Sequence, residues 1–191
     1  MTHNLLFAGV GGQGVVLASE VLARVAASEG FDVKQGEVHG AAQRGGAVVS
    51  HIRFGARVYS PLNLRGRVDL LVAFEKLEAV RWAHYLKPDG ILIINDHRIE
   101  PTYINTAIKY PENATAFLQS KSFRVIELNA TQAARELGNE RVSSLFILGA
   151  VSKFIPLQET SWHQVLGERI PAKLLDINRR AFVAGQNAIS Q

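Results

Sequence analysis

The residues best suited to chemistry lie in two glycine-rich stretches near the amino terminus. Gly9-Val10-Gly11-Gly12-Gln13-Gly14 follows an apolar run and precedes a helical pattern. Glycine lets the backbone turn tightly and approach a ligand with no Cβ in the way. The first amides of the following helix would then face a phosphate or carboxylate. The second stretch, His39-Gly40-Ala41-Ala42-Gln43-Arg44-Gly45-Gly46, sets an amide and a guanidinium beside flexible backbone. Such a fork suits an oxyanion. The candidate binding residues are therefore Gly9, Gly11, Gly12, Gln13, Gly14, His39, Gln43, Arg44, Gly45 and Gly46. Glu75 joins them at the carboxyl end of a predicted strand, where open α/β sheets take their ligands. No residue is assigned to catalysis, and none to a metal.

Each candidate also has a plainer use. The first turn could serve only close packing of helix on sheet, and Arg44 could cap a carbonyl or pair with a partner protein. Glu75 could stabilise the positive end of its own helix. His39 and His51 are of the type that shuttles protons, but a lone histidine near a strand end is more often simply hydrogen-bonded. The G-x-G-x-x-G pattern also fits a free-standing Rossmann-type oxidoreductase binding NAD(P). That reading needs an acidic residue ending the second strand to hold a ribose. Glu37 is the candidate, crowded by His39 and a second glycine turn that such folds do not require. No Gly-Lys-Ser/Thr follows, so the phosphate loop of nucleotide triphosphatases is absent. A non-catalytic nucleotide-binding or assembly module is a third reading.

The elements that must position these residues alternate. Leu5–Ala8, Phe31–Val38, Ala47–Phe54, Asp69–Phe74, Gly90–Asn95 and Phe123–Leu128 read as strands. Helical spacing runs from Gln13 to Ser28 and from Glu75 to Leu86. Pro88-Asp89-Gly90 reads as a turn, and 97–122 as a loop with one short helix. Helices then follow at Thr131–Leu137, Val142–Phe154, Ser161–Leu166 and Lys173–Ile189, the third opening on a possible capping pair, Ser161 and Gln164. The apolar stretch Leu145–Val151 suits either core or interface. The expected fold is a three-layer α/β/α sandwich with a mostly parallel sheet and a helical carboxy-terminal segment. No repeat or linker divides residues 1–191, so one domain is expected.

Composition narrows the chemistry. The chain has 191 residues, 47% hydrophobic and 20% charged, with a net charge of +4. It contains no cysteine, which excludes disulfides, a nucleophilic thiol and any thiolate-held iron–sulfur cluster within it. Arg44, Arg53, Arg57, Arg65 and Arg67 cluster in one stretch. They form either a solvated sheet edge, a site for a phosphate-bearing ligand, or a surface for an acidic partner. Nucleic acid is not expected, because no recognition helix or aromatic platform accompanies the charge. No run approaches membrane-spanning length, and the start lacks the basic region of a signal peptide. A cytoplasmic protein without membrane contact is expected.

The paired turns resemble a known family. Gly9-Val-Gly-Gly-Gln-Gly14, then Glu37-Val-His-Gly40 and Gln43-Arg-Gly-Gly46, is similar to the gamma-type domain of 2-oxoacid:ferredoxin oxidoreductases. The His-Gly-x-x-Gln-Arg-Gly-Gly form resembles the indolepyruvate branch, in its small (beta) subunits. The resemblance continues through Phe74-Glu75-x-x-Glu78-Ala79, Asn95 and Leu148-Gly149-Ala150, and ends near Asn178 and Gly185. Ser144 departs from it, standing where asparagine is expected. The resemblance implies a single gamma-type catalytic domain over 1–191. It also implies a share in oxidative decarboxylation of a 2-oxoacid to its acyl-CoA, with electrons passed to ferredoxin. Thiamine diphosphate and 4Fe-4S clusters would sit on a large catalytic partner subunit. CoA would be the co-substrate, and this chain alone would bind no cofactor. The isolated chain is then expected to be inactive, with its glycine turns and Arg44 facing CoA, substrate or the partner.

Overall fold

The computed structural model describes residues 2–39, 46–100, 110–121 and 123–189. The described strands are β1 Thr2–Val10, β2 Asp32–His39, β3 Ala47–Gly55, β4 Val68–Ala73, β5 Leu86–Asn95 and β6 Arg124–Leu128. They form one sheet in the order β2-β3-β1-β4-β5-β6. β1, β4, β5 and β6 run parallel, while β3 is antiparallel to both β1 and β2. Among these strands β3 alone is reversed. The helices are α1 Val15–Ser28, α2 Lys76–Trp82, α3 Ala114–Gln119, α4 Ala130–Glu136, α5 Ser143–Ser152, α6 Glu159–Arg169 and α7 Ala172–Ile189.

Alternation along β1 builds two cores, because successive side chains of a strand point to opposite faces. Leu5 and Phe7 join Ile52, Phe54, Leu70 and Val72 beneath α1 and α4–α7. Leu6 and Ala8 join Val49, Leu71, Ala73 and Leu92 beneath α2 and α3. The result is the expected three-layer sandwich. On the thicker side α5 is core on every face, with Leu145 through Val151 all buried. It crosses α7 with backbones in contact. A Cβ on Gly149 would lie 1.9 Å from Phe182 O, and one on Gly185 would lie 1.8 Å from Phe146 O. Only glycine fits at either place.

Several boundaries differ from the sequence reading for physical reasons. β1 extends back to Thr2 because Thr2, His3 and Asn4 pair along β3. α2 stops at Trp82 and tightens into a 3-10 turn over Ala83–Tyr85, which brings Leu86 into register with Val68. The Pro88-Asp89-Gly90 turn exists, but as a bulge inside β5. The register jumps from Val68↔Leu86 to Leu70↔Ile91, and Asp89 takes φ 59°. The short helix expected within 97–122 is α3. α6 starts before the anticipated Ser161–Gln164 pair, with Gln158 in the capping position and no side-chain cap. α2 buries Glu78 and Ala79.

Candidate functional site

The two glycine stretches meet at the carboxyl edge of the sheet. β1 ends in the first and β3 emerges from the second, with Gly9 opposite Val48 and Val48 opposite His39. Gly11 N donates to Gly46 O at 2.9 Å, joining them directly. Gln43, Arg44 and Gly45 lie outside the described residues. The glycines of the first turn divide by use. A Cβ on Gly9 would lie 2.7 Å from Val15 Cγ2 and 2.9 Å from Phe74 Cβ, so this position serves packing. Gly14 has φ 77° and lies against Ser144, whose Oγ would be 2.7 Å from an added Cβ. Gly12 has φ 101° and open space where a Cβ would stand. Like Gly11 it is exposed, and it faces outward with backbone alone.

Gln13 latches the turn. Its Oε1 accepts from Val10 N at 2.8 Å and its Nε2 donates to Phe74 O at 2.9 Å. Phe74 O also accepts from Asn95 Nδ2 at 3.2 Å. Asn95 Oδ1 in turn accepts from Ala130 N at 3.0 Å and Thr131 N at 3.3 Å. The ends of β1, β4 and β5 and the start of α4 are thus tied through one carbonyl. Gln13 and Asn95 are positioning residues for the edge.

Glu75 is likewise engaged inward. It is buried, and Oε2 accepts from Leu77 N at 2.6 Å and Glu78 N at 3.1 Å, capping α2. Oε1 accepts from Ile99 N at 3.1 Å and from the Tyr110 hydroxyl. Burial and this carboxylate push the Tyr110 phenol far above its usual range. The helix-capping reading of Glu75 describes its geometry. Glu78 beside it is held above the usual carboxylate range by burial, against the pull of Arg81.

Two clefts flank Gly12. A polar one of ≈ 300 Å³ is lined by Gly12, Gln13, His97, Thr131, Glu140, Arg141 and Ser143. An apolar one of ≈ 330 Å³ is lined by Val10, Gly11, Gly12, Gly14, Val15, Val16 and Val48. In the polar cleft Thr131 Oγ1 accepts from Asn95 Nδ2 at 2.9 Å, and Glu140 is paired with Arg135 at 3.0 Å. Arg141 makes no ion pair among the described residues, and the amino end of α1 has no side-chain cap. The arrangement can bind an elongated ligand with anionic and apolar parts. His97, Thr131 and Arg141 were not legible as site residues, because they reach the cleft from distant segments. Ser144, marked earlier as a departure, is the nearest signal: it packs on Gly14 and lies in the first turn of α5, the helix that closes the cleft. Its Oγ is buried with no hydrogen-bond partner among the described residues. Among the described residues no three His, Asp or Glu side chains converge as metal ligands, and no helix is long and apolar enough to cross a membrane.

The sequence matches the pyruvate ferredoxin/flavodoxin oxidoreductase family over residues 4–188. The chain belongs to that family. It is 33% identical to indolepyruvate oxidoreductase subunit IorB of Thermococcus kodakarensis, across 99% of this chain and 96% of the relative. Its fold matches the gamma subunit of a keto/oxoacid ferredoxin oxidoreductase from Geobacter sulfurreducens, with TM-score 0.76, 22% identity and 98% of each chain covered. It also matches 2-oxoglutarate:ferredoxin oxidoreductase from Magnetococcus marinus, solved with 2-oxoglutarate, coenzyme A and succinyl-CoA. There the TM-score is 0.78 and the identity 20%, over 99% of this chain and 31% of that one. The resemblance carried by the two turns is thereby borne out, along with the oxidoreductase class of the family.

The topology also lends the nicotinamide alternative no support. In a Rossmann half the second strand adjoins the first, so its terminal acid reaches the ribose. Here β3 stands between β1 and β2. Two inter-strand spacings put Glu37 about 10 Å across the sheet from β1.

Proposed function

We propose that this chain is the small accessory subunit of a 2-oxoacid:ferredoxin oxidoreductase acting on an arylpyruvate of the indolepyruvate type. The enzyme would convert that acid to its acyl-CoA and pass electrons to ferredoxin. Family membership and full-length similarity to an indolepyruvate oxidoreductase subunit support the class. The sequence has no cysteine to hold iron–sulfur clusters by thiolate, which supports a reading in which another chain carries them. Thiamine diphosphate, which supplies the carbanion chemistry of decarboxylation, belongs on that same larger subunit. The compartment we infer is the cytoplasm.

The observation that carries this chain's own part is the junction of the two glycine turns through Gly11 and Gly46. It lies where the polar and apolar clefts meet at Gly12. Coenzyme A has anionic phosphates and a long, partly apolar arm, and that two-sided ridge would suit both. The Gly12 backbone and Arg141 would hold phosphate, and the apolar cleft would take the arm. Gln13 and Asn95 keep the ridge in place.

The test is to co-express the chain with a large subunit bearing thiamine-diphosphate and cluster motifs. Ferredoxin reduction is then measured with indolepyruvate, phenylpyruvate and pyruvate, with and without CoA. CoA-dependent reduction, fastest with the aryl acids, is the expected result. Reduction of ferredoxin by the isolated chain would overturn the accessory role. Preference for pyruvate would overturn the substrate assignment.

A further inference from the structure

Residues 56–67, between β3 and β4, form a strap across the face of the sheet that carries α2. Its polarity is inverted. Asn63 is buried beneath it, donating Nδ2 to Leu5 O at 2.6 Å, and its own N–H meets His51 Nδ1 at 3.1 Å. Arg53 donates to Ser60 O at 3.0 Å, and Val58 N donates to Asp32 Oδ2 at 2.8 Å. Outside, Tyr59 is 83% exposed, Leu62 52% and Leu64 72%. Polar side chains fasten the strap from within, and although Val58 is buried, its larger apolar side chains Tyr59, Leu62 and Leu64 stand in water. Val38 of β2 is also exposed. It is two residues from Gly36, where an added Cβ would lie 3.2 Å from Pro61.

The charge is one-sided. The strap carries Arg57, Arg65 and Arg67 and no acidic residue. Arg57 lies over the Tyr59 ring at 5.2 Å. Arg65 and Arg67 make no ion pair among the described residues. The acids that fasten the strap and its flank are already engaged, Asp32 by Lys34 and Asp69 by Lys87 at 2.5 Å. A two-fold contact between copies of this chain would set arginine against arginine. A different protein with acidic side chains around an apolar socket would pair every feature instead. Exposed tyrosine, arginine and leucine on a backbone already fixed are what a preorganised docking site offers.

We propose that this strap, with Val38 beside it, is the face that docks the larger cofactor-bearing subunit, against an apolar socket rimmed by aspartate and glutamate. The inference rests on the accessory-subunit reading above and adds where the contact is made. It leaves the glycine ridge, at the carboxyl edge of the sheet, free for ligand.

The experiment measures affinity of the full chain for the co-expressed large subunit by surface plasmon resonance. Wild type is compared with Tyr59→Ala, Leu64→Ser and the double variant Arg65→Glu/Arg67→Glu. These side chains are exposed, so melting temperatures should stay near wild type. Each single change should weaken binding at least tenfold. The double variant should weaken it about a hundredfold and lose the salt dependence that screened charge pairs give. Wild-type binding with all three variants within twofold would overturn the docking face and leave the accessory-subunit role standing. Failure of the wild type to bind any such subunit would overturn that role, and the docking face with it. Sedimentation supplies the remaining outcome: a dimer of the isolated chain abolished by Leu64→Ser would assign the strap to self-association and overturn the proposal.

Discussion

The glycine ridge and the strap are both loops latched onto the same sheet, and they present opposite things. The ridge at the carboxyl edge offers backbone with side chains removed: Gly12 faces open space at φ 101°. The strap offers side chains on a fixed backbone, with Tyr59 and Leu64 in solvent and Asn63 anchored below. A small anionic ligand needs close approach to amides, whereas a protein partner needs apolar anchors and charge. The latches differ as well. Gln13 holds the ridge with an amide that does not titrate, and His51 holds the strap with a ring nitrogen that does.

The comparison breaks first if the glycines of the ridge are interchangeable. Gly14→Ala should be the most damaging change, because it meets Ser144 Oγ at 2.7 Å in a left-handed backbone. Strain and overpacking together should cost about 3 kcal/mol, read as a lower denaturation midpoint. A loss under about 1 kcal/mol would mean that the turn relaxes freely. Asn63→Ala comes next, on the strap. It removes the Asn63 Nδ2–Leu5 O bond that fastens the strap, a loss of about 1.5 kcal/mol, and should weaken partner binding while sparing CoA. If CoA binding fell equally, the two loops would not be separate sites.

Gly12→Ala sharpens the contrast from the other side. An added Cβ there meets nothing within 4 Å, so stability should fall only by the left-handed strain, about 1 kcal/mol. CoA affinity should nevertheless drop at least tenfold, since the methyl stands where the ligand approaches. Isothermal titration of the complex reads this directly, and unchanged affinity would remove Gly12 from the ligand face.

How far each loop was legible follows from how local its cause is. Gly9–Gly14 between an apolar run and a helical pattern is a signal within twenty residues, so β1, the turn and α1 could be placed from sequence. The insertion of β3 between β1 and β2 is not local. It depends on pairings such as Leu5↔Ile52 and Gln35↔Ile52, and no pattern in β3 announces its direction. Gln13 looked like a ligand donor because a glutamine in a glycine turn has no stated partner until Phe74 O arrives from β4. Glu75 was open between ligand and cap for the same reason, and its four donors decide the geometry. The strap stayed unread because its alternation of Leu62, Asn63 and Leu64 looks like an ordinary loop. Only the burial of Asn63 reveals which side faces the protein.

The smallest effect separates the two latches by pH. Burial lowers the His51 pKa below its ordinary value of 6.5, and its Nδ1 must be unprotonated to accept from Asn63 N. A histidine depressed in the folded state takes up protons more readily when unfolded. Its contribution to stability is therefore complete above about pH 6.5 and declines as pH falls from there toward the lowered folded value. His3 is depressed in the same sense, by burial against the opposing pull of Asp69, so it must be controlled with His3→Gln. In that background the melting temperature should drop between pH 7 and pH 5. His51→Gln, which keeps an acceptor without the titration, should flatten part of the drop. Affinity for the partner subunit should weaken over the same window, because the strap loses its fastening. CoA affinity should follow His51 much less, since Gln13 carries no proton equilibrium. A CoA response that tracks His51 as closely as the partner response would show that the ridge and the strap move as one body.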